Sequence, residues 1–220
     1  MIRRPASASR LAVRRTAVLA AGVLFAGIPL LTACGTPHQG AAAVVEEDQI
    51  SVSSLQSQVN DVRAAQAKLP NGDQLREQSG NLSSSTLFNL VLARVTDRAL
   101  EDAGLTISRR ELQDYLKDNE QYIGGRKVLE TVMLQQRGVA PDQIDAYLRT
   151  DLALNKLAEH IGARRDSPEG QLRLGELLTK TAKSMDISVN PRYGKWNSTD
   201  LTIDPTAEPW LPKPTGPGAV

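Results

Sequence analysis

Residues 84–103 read SSTLFNLVLARVTDRALEDA, and their pattern decides the fold. Leu87, Phe88, Leu90, Val91, Leu92, Val95, Ala99 and Leu100 recur at three- and four-residue intervals, the period of a helix with a wide apolar face. Ser83-Ser84-Ser85 supplies a cap and Gly104 a stop. No other segment beyond the leader is as hydrophobic, so this helix is expected at the centre of the domain.

Reading outward toward the C-terminus, Ser108-Arg109-Arg110-Glu111 has the spacing of a capping box and opens a helix over 109–121, with Leu112, Tyr115 and Leu116 inward. Gly124-Gly125 ends it. A helix over 126–137 carries Val128, Leu129, Val132 and Met133, with Gly138 as its C-cap. Pro141 suits a first helical position and opens a helix to about Ile161. Asp166-Ser167-Pro168-Glu169 opens another, reaching about Met185.

Toward the N-terminus, Ser51 or Ser53 caps a helix over 52–68, and Pro70-Asn71-Gly72-Asp73 breaks the chain after it. Residues 73–84 are polar and read as a weak helical turn or a loop. Ala41–Val45 and Ile187–Val189 are the strand candidates. The expected fold is mainly α: a single irregular multi-helix domain of about six helices, with short strands at its two ends.

The leader has its own logic. Residues 1–15 hold five Arg and no acid, residues 16–30 hold no charge, and Leu31-Thr32-Ala33-Cys34 follows. A basic start, a short apolar run and small residues at a cut site make a secretory signal. The run is shorter than the roughly 20 residues that span a bilayer. Leu-Thr-Ala-Cys resembles the lipobox of bacterial lipoproteins, in which the Cys takes a diacylglycerol thioether and becomes the mature N-terminus. Cys34 is therefore the lipidation candidate. Residues 1–33 read as signal peptide, 34–43 as lipidated tether, 44–200 as helical domain and 201–220 as a disordered Pro-rich tail. The expected location is the outer face of the bacterial cytoplasmic membrane. The arginine pairs leave the export route open between the general and twin-arginine machineries.

Composition narrows the chemistry. Once the five leader arginines are gone, the remaining Lys and Arg number fewer than the 25 Asp and Glu of the chain, so the mature charge is negative. That balance, without basic clusters, argues against nucleic acid. Cys34 is the single cysteine, which leaves nothing for a disulfide or thiolate metal site. His38 falls in the tether and His160 at a helix end, where a cation suits the helix dipole. No nucleophile elbow, phosphate loop, zinc pattern or calcium loop occurs. No catalytic residue, metal or cofactor is expected. Asn81-Leu82-Ser83 and Asn197-Ser198-Thr199 match glycosylation sequons, which a bacterial lipobox discounts.

Tyr115, Tyr122 and Tyr147 fall on apolar stripes of neighbouring helices. Such tyrosines serve either as core with a hydroxyl at the rim or as walls of a groove for another chain. The groove candidates are Phe88, Leu92, Tyr115, Tyr122 and Tyr147.

Taken together, Ala41–Val45 followed by Ile50-Ser51-Val52, the Leu87–Leu100 helix, Gly104–Leu112, Gly138-Val139-Ala140-Pro141, Asp142–Leu157 and the closing Val189–Trp196 resemble the SurA-like N-terminal chaperone domain. That domain occurs in actinobacterial lipoproteins and in a wider group with the PrsA foldases and the trigger-factor chaperone region. The likeness covers about 41–197, and the closing segment is its most distinctive part. It implies binding of unfolded or exported polypeptides. A parvulin-type prolyl isomerase domain typically accompanies this module in SurA and PrsA relatives, and here there is no room for one. The alternative is a scaffolding lipoprotein that docks one envelope protein through the Tyr193–Trp196 segment or the tail.

Overall fold

The computed structural model describes residues 40–205; Cys34, the leader and residues 206–220 lie outside the described residues. Strand β1 (Ala41–Val45) is the middle of a three-stranded antiparallel sheet, between β2 (Asp48–Ser51) and β3 (Ile187–Val189). Val44 faces Gln49 on one side and Ser188 on the other, so the two ends of the domain are joined in one sheet. Ala41, Ala42 and Ala43 are 6%, 0% and 1% exposed. Composition assigns them to the tether, but their methyl side chains let the helices lie close on the sheet, and they belong to the core.

A second correction concerns the other end. β4 (Lys195–Asn197) and β5 (Thr202–Asp204) form an antiparallel hairpin, with Trp196 opposite Ile203. Residues 201–204, assigned to the tail by composition, are thus ordered. The turn is built by Asn197, whose Oδ1 accepts from the backbone of Thr199 at 3.0 Å and Asp200 at 3.2 Å. Leu201 takes φ 51 to close it.

Between the strands lie seven α-helices rather than about six: α1 (Val52–Gln66), α2 (Gly72–Gln78), α3 (Leu82–Asp102), α4 (Arg109–Ile123), α5 (Arg126–Val132), α6 (Ile144–His160) and α7 (Pro168–Ser184). The additional one is α2, in the stretch read as weak turn or loop. Its start folds back on α1 so tightly that a Cβ on Gly72 would stand 2.3 Å from the Gln66 carbonyl oxygen; only glycine fits. The expected capping box is present: Glu111 N donates to Ser108 Oγ at 3.2 Å, and Ser108 N donates to Glu111 Oε2 at 2.7 Å. The helix expected over 126–137 spans that range with Gly138 as its C-cap, but it is α-helical only to Val132. After Val132 the backbone widens into a π-turn (Met133–Arg137), which Gly138 ends at φ 62. A 3₁₀ turn (Pro141–Gln143) then leads into α6.

Helix α3 is central, as its pattern requires. It packs on α1, α6, α7, β1 and β5. Leu87, Val91 and Val95 are fully buried and join Leu55, Val59 and Val62 of α1, Leu157 of α6 and Leu178 of α7 in the main core. A smaller second cluster holds Leu129, Val139, Ile144 and Leu148, with Tyr115, Leu116, Ile123, Met133 and Tyr147 packed around it. Helix α6 serves both, and the seam between them is where the candidate site lies.

Candidate functional site

On α3, Phe88 and Leu92 each follow a fully buried residue, Leu87 and Val91, by one position. One position is 100° of helical rotation, so their side chains stand on the flank of the core stripe and are half-buried. On α6, Tyr147 and Leu154 are seven residues apart and share a face. Residues of the Arg137–Gln143 link face the same space as these two flanks. The result is a recess of about 560 Å³, within the roughly 300–1,000 Å³ range of ligand sites. Its apolar walls are Phe88, Leu90 and Leu92, then Val139, then Tyr147 and Leu154. Phe88, Leu90 and Leu154 pack on the main core, whereas Val139 and Tyr147 belong to the second cluster.

Of the five groove candidates, the structure brings Phe88, Leu92 and Tyr147 together at this recess. Tyr115 stands behind its wall: its hydroxyl donates to the carboxylate of Asp151, which lines the recess, and accepts from Asn155 Nδ2 at 3.0 Å. Burial, and then the neighbouring Asp151, push the Tyr115 hydroxyl above its ordinary pKa. Tyr122 is placed apart. It is 94% exposed, because in the last turn of α4 the inward positions fall to Ile123, packed on the second cluster, and Glu120, paired with Arg126. Leu90, Val139 and Leu154 were not among the candidates. Leu90 was legible as part of the α3 stripe and Leu154 from its i+7 spacing to Tyr147; Val139 depends on how the link folds.

Polar groups at the recess divide into two sets. Asp151 is fully engaged: Arg165 Nη2 donates to its Oδ1 at 3.0 Å, while Arg165 Nη1 donates to its carbonyl at 3.2 Å and to Asn155 Oδ1 at 2.5 Å. Gln143 is spent on structure, donating to the Gln58 carbonyl at 3.0 Å and so pinning the link to α1. By contrast, the side chains of Gln58, Thr86, Asn89, Arg137 and Asp142 also line the recess, and none has a hydrogen-bond or ion-pair partner among the described residues. Thr86 is only 7% exposed. Apolar walls with a few unengaged polar groups are the composition of a binding site rather than of a packing defect.

Ion pairs hold the surrounding helices. Arg126 reaches Glu120, Glu130 and Asp145, each at 3.1 Å, and donates to the Pro141 carbonyl at 3.1 Å, tying α4, α5 and the start of α6. Its partial burial lowers the guanidinium pKa, but the carboxylates of Asp145, Glu130 and Glu120 outweigh that and raise it. Arg149 bonds Asp97 at 2.6 Å across α6 and α3. Lys156 bonds Glu111 at 2.5 Å across α6 and α4, and this bond, with the backbone of Ser108, holds the Glu111 carboxyl down to about 2.

A second groove, of about 640 Å³ and more open, runs between α7 and the β4–β5 turn, with Leu172 68% exposed on it. Tyr193 and Trp196 offer no docking surface: they are 8% and 9% exposed, and the Trp196 ring packs on Phe88 with centroids 6.5 Å apart. Among the described residues, no three of His, Cys, Asp and Glu gather to hold a metal ion, and no helix is long and apolar enough to cross a membrane.

The described residues thus form a mainly helical module with its two ends paired in one sheet and an apolar recess beside its central helix. The model of the SurA-like N-terminal domain matches residues 3–158, and the chain belongs to that chaperone-like family. The match stops within α6, so α7 and the Val189–Trp196 segment, taken from sequence as the most distinctive carrier of the likeness, lie beyond it. No curated protein and no solved structure matches the chain.

Proposed function

We propose that the chain is a lipid-anchored, extracytoplasmic chaperone-like protein that holds unfolded or exported polypeptides without transforming them. The observation that carries this is the recess between α3 and α6, with apolar walls and unengaged amides, in a domain of a chaperone-like family. A client seating two large apolar side chains there gains about 1.5–3 kcal/mol from each. Before ordering costs, that corresponds to dissociation constants from roughly millimolar down to tens of micromolar. Weak, replaceable binding of this kind suits many clients rather than one.

Anchoring rests on the leader and the Leu31–Cys34 motif. Cys34→Ala is expected to release the protein from the membrane fraction; unchanged membrane association would remove the anchor from the proposal. For the holding activity, the purified chain is mixed in equimolar ratio with a chemically unfolded model substrate, and aggregation is followed by light scattering. Slower aggregation, lost in Leu92→Asp, supports the role. No suppression at that ratio overturns it. The scaffolding reading draws on the exposed Leu172 and Tyr122, which stand outside the recess. A single stoichiometric partner recovered from membranes, instead of a heterogeneous set, would favour it.

A further inference from the structure

We infer, on the strength of the client-binding role proposed above, that the recess has an occupant within the same chain: Glu208-Pro209-Trp210-Leu211-Pro212-Lys213 docks in it and competes with clients. Four observations converge on this segment. The first is where the described chain ends. The Asp204 carbonyl oxygen lies against Gly194, only 2.5 Å from where a Cβ there would be. The neighbouring Tyr193 carbonyl accepts from Ser84 Oγ at 3.0 Å. Ser84 is one helical turn before Phe88 on α3, so the chain leaves β5 beside the end of the helix that builds the recess. Trp210 is six residues past Asp204, a reach of up to about 20 Å, whereas Ser84 to Leu92 spans about 12 Å of helix.

The second is composition. Within 206–220, Trp210-Leu211 is the one adjacent pair of large apolar residues, and it is bracketed by Pro209 and Pro212. A P-x-x-P segment favours the polyproline helix and docks in aromatic-lined grooves at low entropic cost. Phe88 and Tyr147 give the recess that lining. The third is hydrogen bonding. A polyproline helix leaves its carbonyl groups free, and Thr86, Asn89 and Gln58 present donors at the recess that have no partner among the described residues. The fourth is charge. Arg137 and Asp142 line the recess without an ion-pair partner among the described residues, and the segment places Glu208 before its prolines and Lys213 after them.

Tethering through so short a linker gives the segment an effective concentration of about a millimolar, enough to compete at the weak affinities of this site. If it fills the recess for two-thirds to nine-tenths of the time, client affinity is weakened roughly three- to tenfold. Clients must then outbid a resident segment, which would screen out weakly apolar chains.

The test uses the full chain in detergent and a dansylated proline-free peptide with a Phe-Leu core. Trp210→Ser/Leu211→Ser is expected to bind the peptide roughly three- to tenfold more tightly than the unaltered chain. A readout independent of clients is the emission of Trp210, taken as the difference from Trp210→Phe. Docked, it is blue-shifted and shielded from acrylamide. Ala146→Glu, which puts a charge on an exposed position of the recess without touching the core, is expected to return it to the emission of free tryptophan. Equal peptide affinities together with water-like Trp210 emission overturn the inference and leave the client role standing. Shielding that survives Ala146→Glu also overturns it, by seating the segment elsewhere. Shielding lost in Ala146→Glu with no peptide binding by either chain supports the docked segment and defeats the client role.

Discussion

Replacing Arg165 with methionine tests whether the wall of the recess is held by polar bonds or by packing alone. Arg165 makes three hydrogen bonds to α6, to Asp151 Oδ1 at 3.0 Å, the Asp151 carbonyl at 3.2 Å and Asn155 Oδ1 at 2.5 Å. Methionine keeps the apolar stem and removes all three. The Asp151 carboxylate then loses its cation and keeps only the Tyr115 hydroxyl. Each net hydrogen bond contributes about 0.5–1.5 kcal/mol, and breaking a fully buried ion pair costs about 3–5 kcal/mol. Both side chains are 32% exposed, so water relieves part of that cost. A loss of about 2 kcal/mol follows, or a melting temperature roughly 4–8 °C lower for a domain of this size. Urea unfolding followed by circular dichroism should show a lower midpoint with an unchanged slope. Adding Asp151→Asn to Arg165→Met removes the stranded charge, so the double variant should recover about 1 kcal/mol relative to the sum of the singles. Strict additivity, or a neutral Arg165→Met, would refute the view that these groups hold the wall.

Glu111 is held down to about 2 by Lys156 and the Ser108 backbone. A carboxyl depressed below its unfolded value of 4.5 stabilises the fold fully above that value, and the contribution is lost as pH falls toward 2. Glu111→Gln should therefore flatten the acid side of the stability profile, read by thermal unfolding between pH 5 and pH 2. Gly72→Ala forces a methyl group to within 2.3 Å of the Gln66 carbonyl and should cost about 1–3 kcal/mol in urea unfolding. Tyr122→Ser removes an exposed ring outside the recess, and should change both stability and peptide binding by less than about 0.5 kcal/mol.

Elements whose own residues supply the driving force were legible. Helix α3 announces itself because Leu87, Val91 and Val95 repeat on one face, and the Ser108–Glu111 box because both caps are local. β2 was not among the strand candidates, since only Ile50 among its four residues is buried; pairing with β1 creates the strand. The β4–β5 hairpin was hidden for a similar reason, as Trp196 and Ile203 become partners only once Asn197 folds the turn back. Phe88, Leu92 and Tyr147 could be nominated for the site because flank positions follow from helical period. Tyr122 could not be told from them, because which residues of a terminal turn face inward depends on Arg126 and its carboxylates. The recess itself is a property of two clusters failing to merge, and no single helix encodes that.

Small residues keep the seam open, and this makes function separable from packing. Ala146 lines the recess and is exposed to it, on a helix where leucine is also a good former. Ala146→Leu adds three carbons to the recess that Leu92 and Phe88 also line. If the recess were only an imperfection of packing, filling it would stabilise the fold by about 0.5–2 kcal/mol and alter nothing else. If clients or the Pro209–Pro212 segment seat there, the same change should stabilise the fold and weaken dansyl-peptide binding together. Thermal unfolding and peptide titration of the one variant therefore suffice. Greater stability with undiminished binding would show that clients are held somewhere other than the space between α3 and α6.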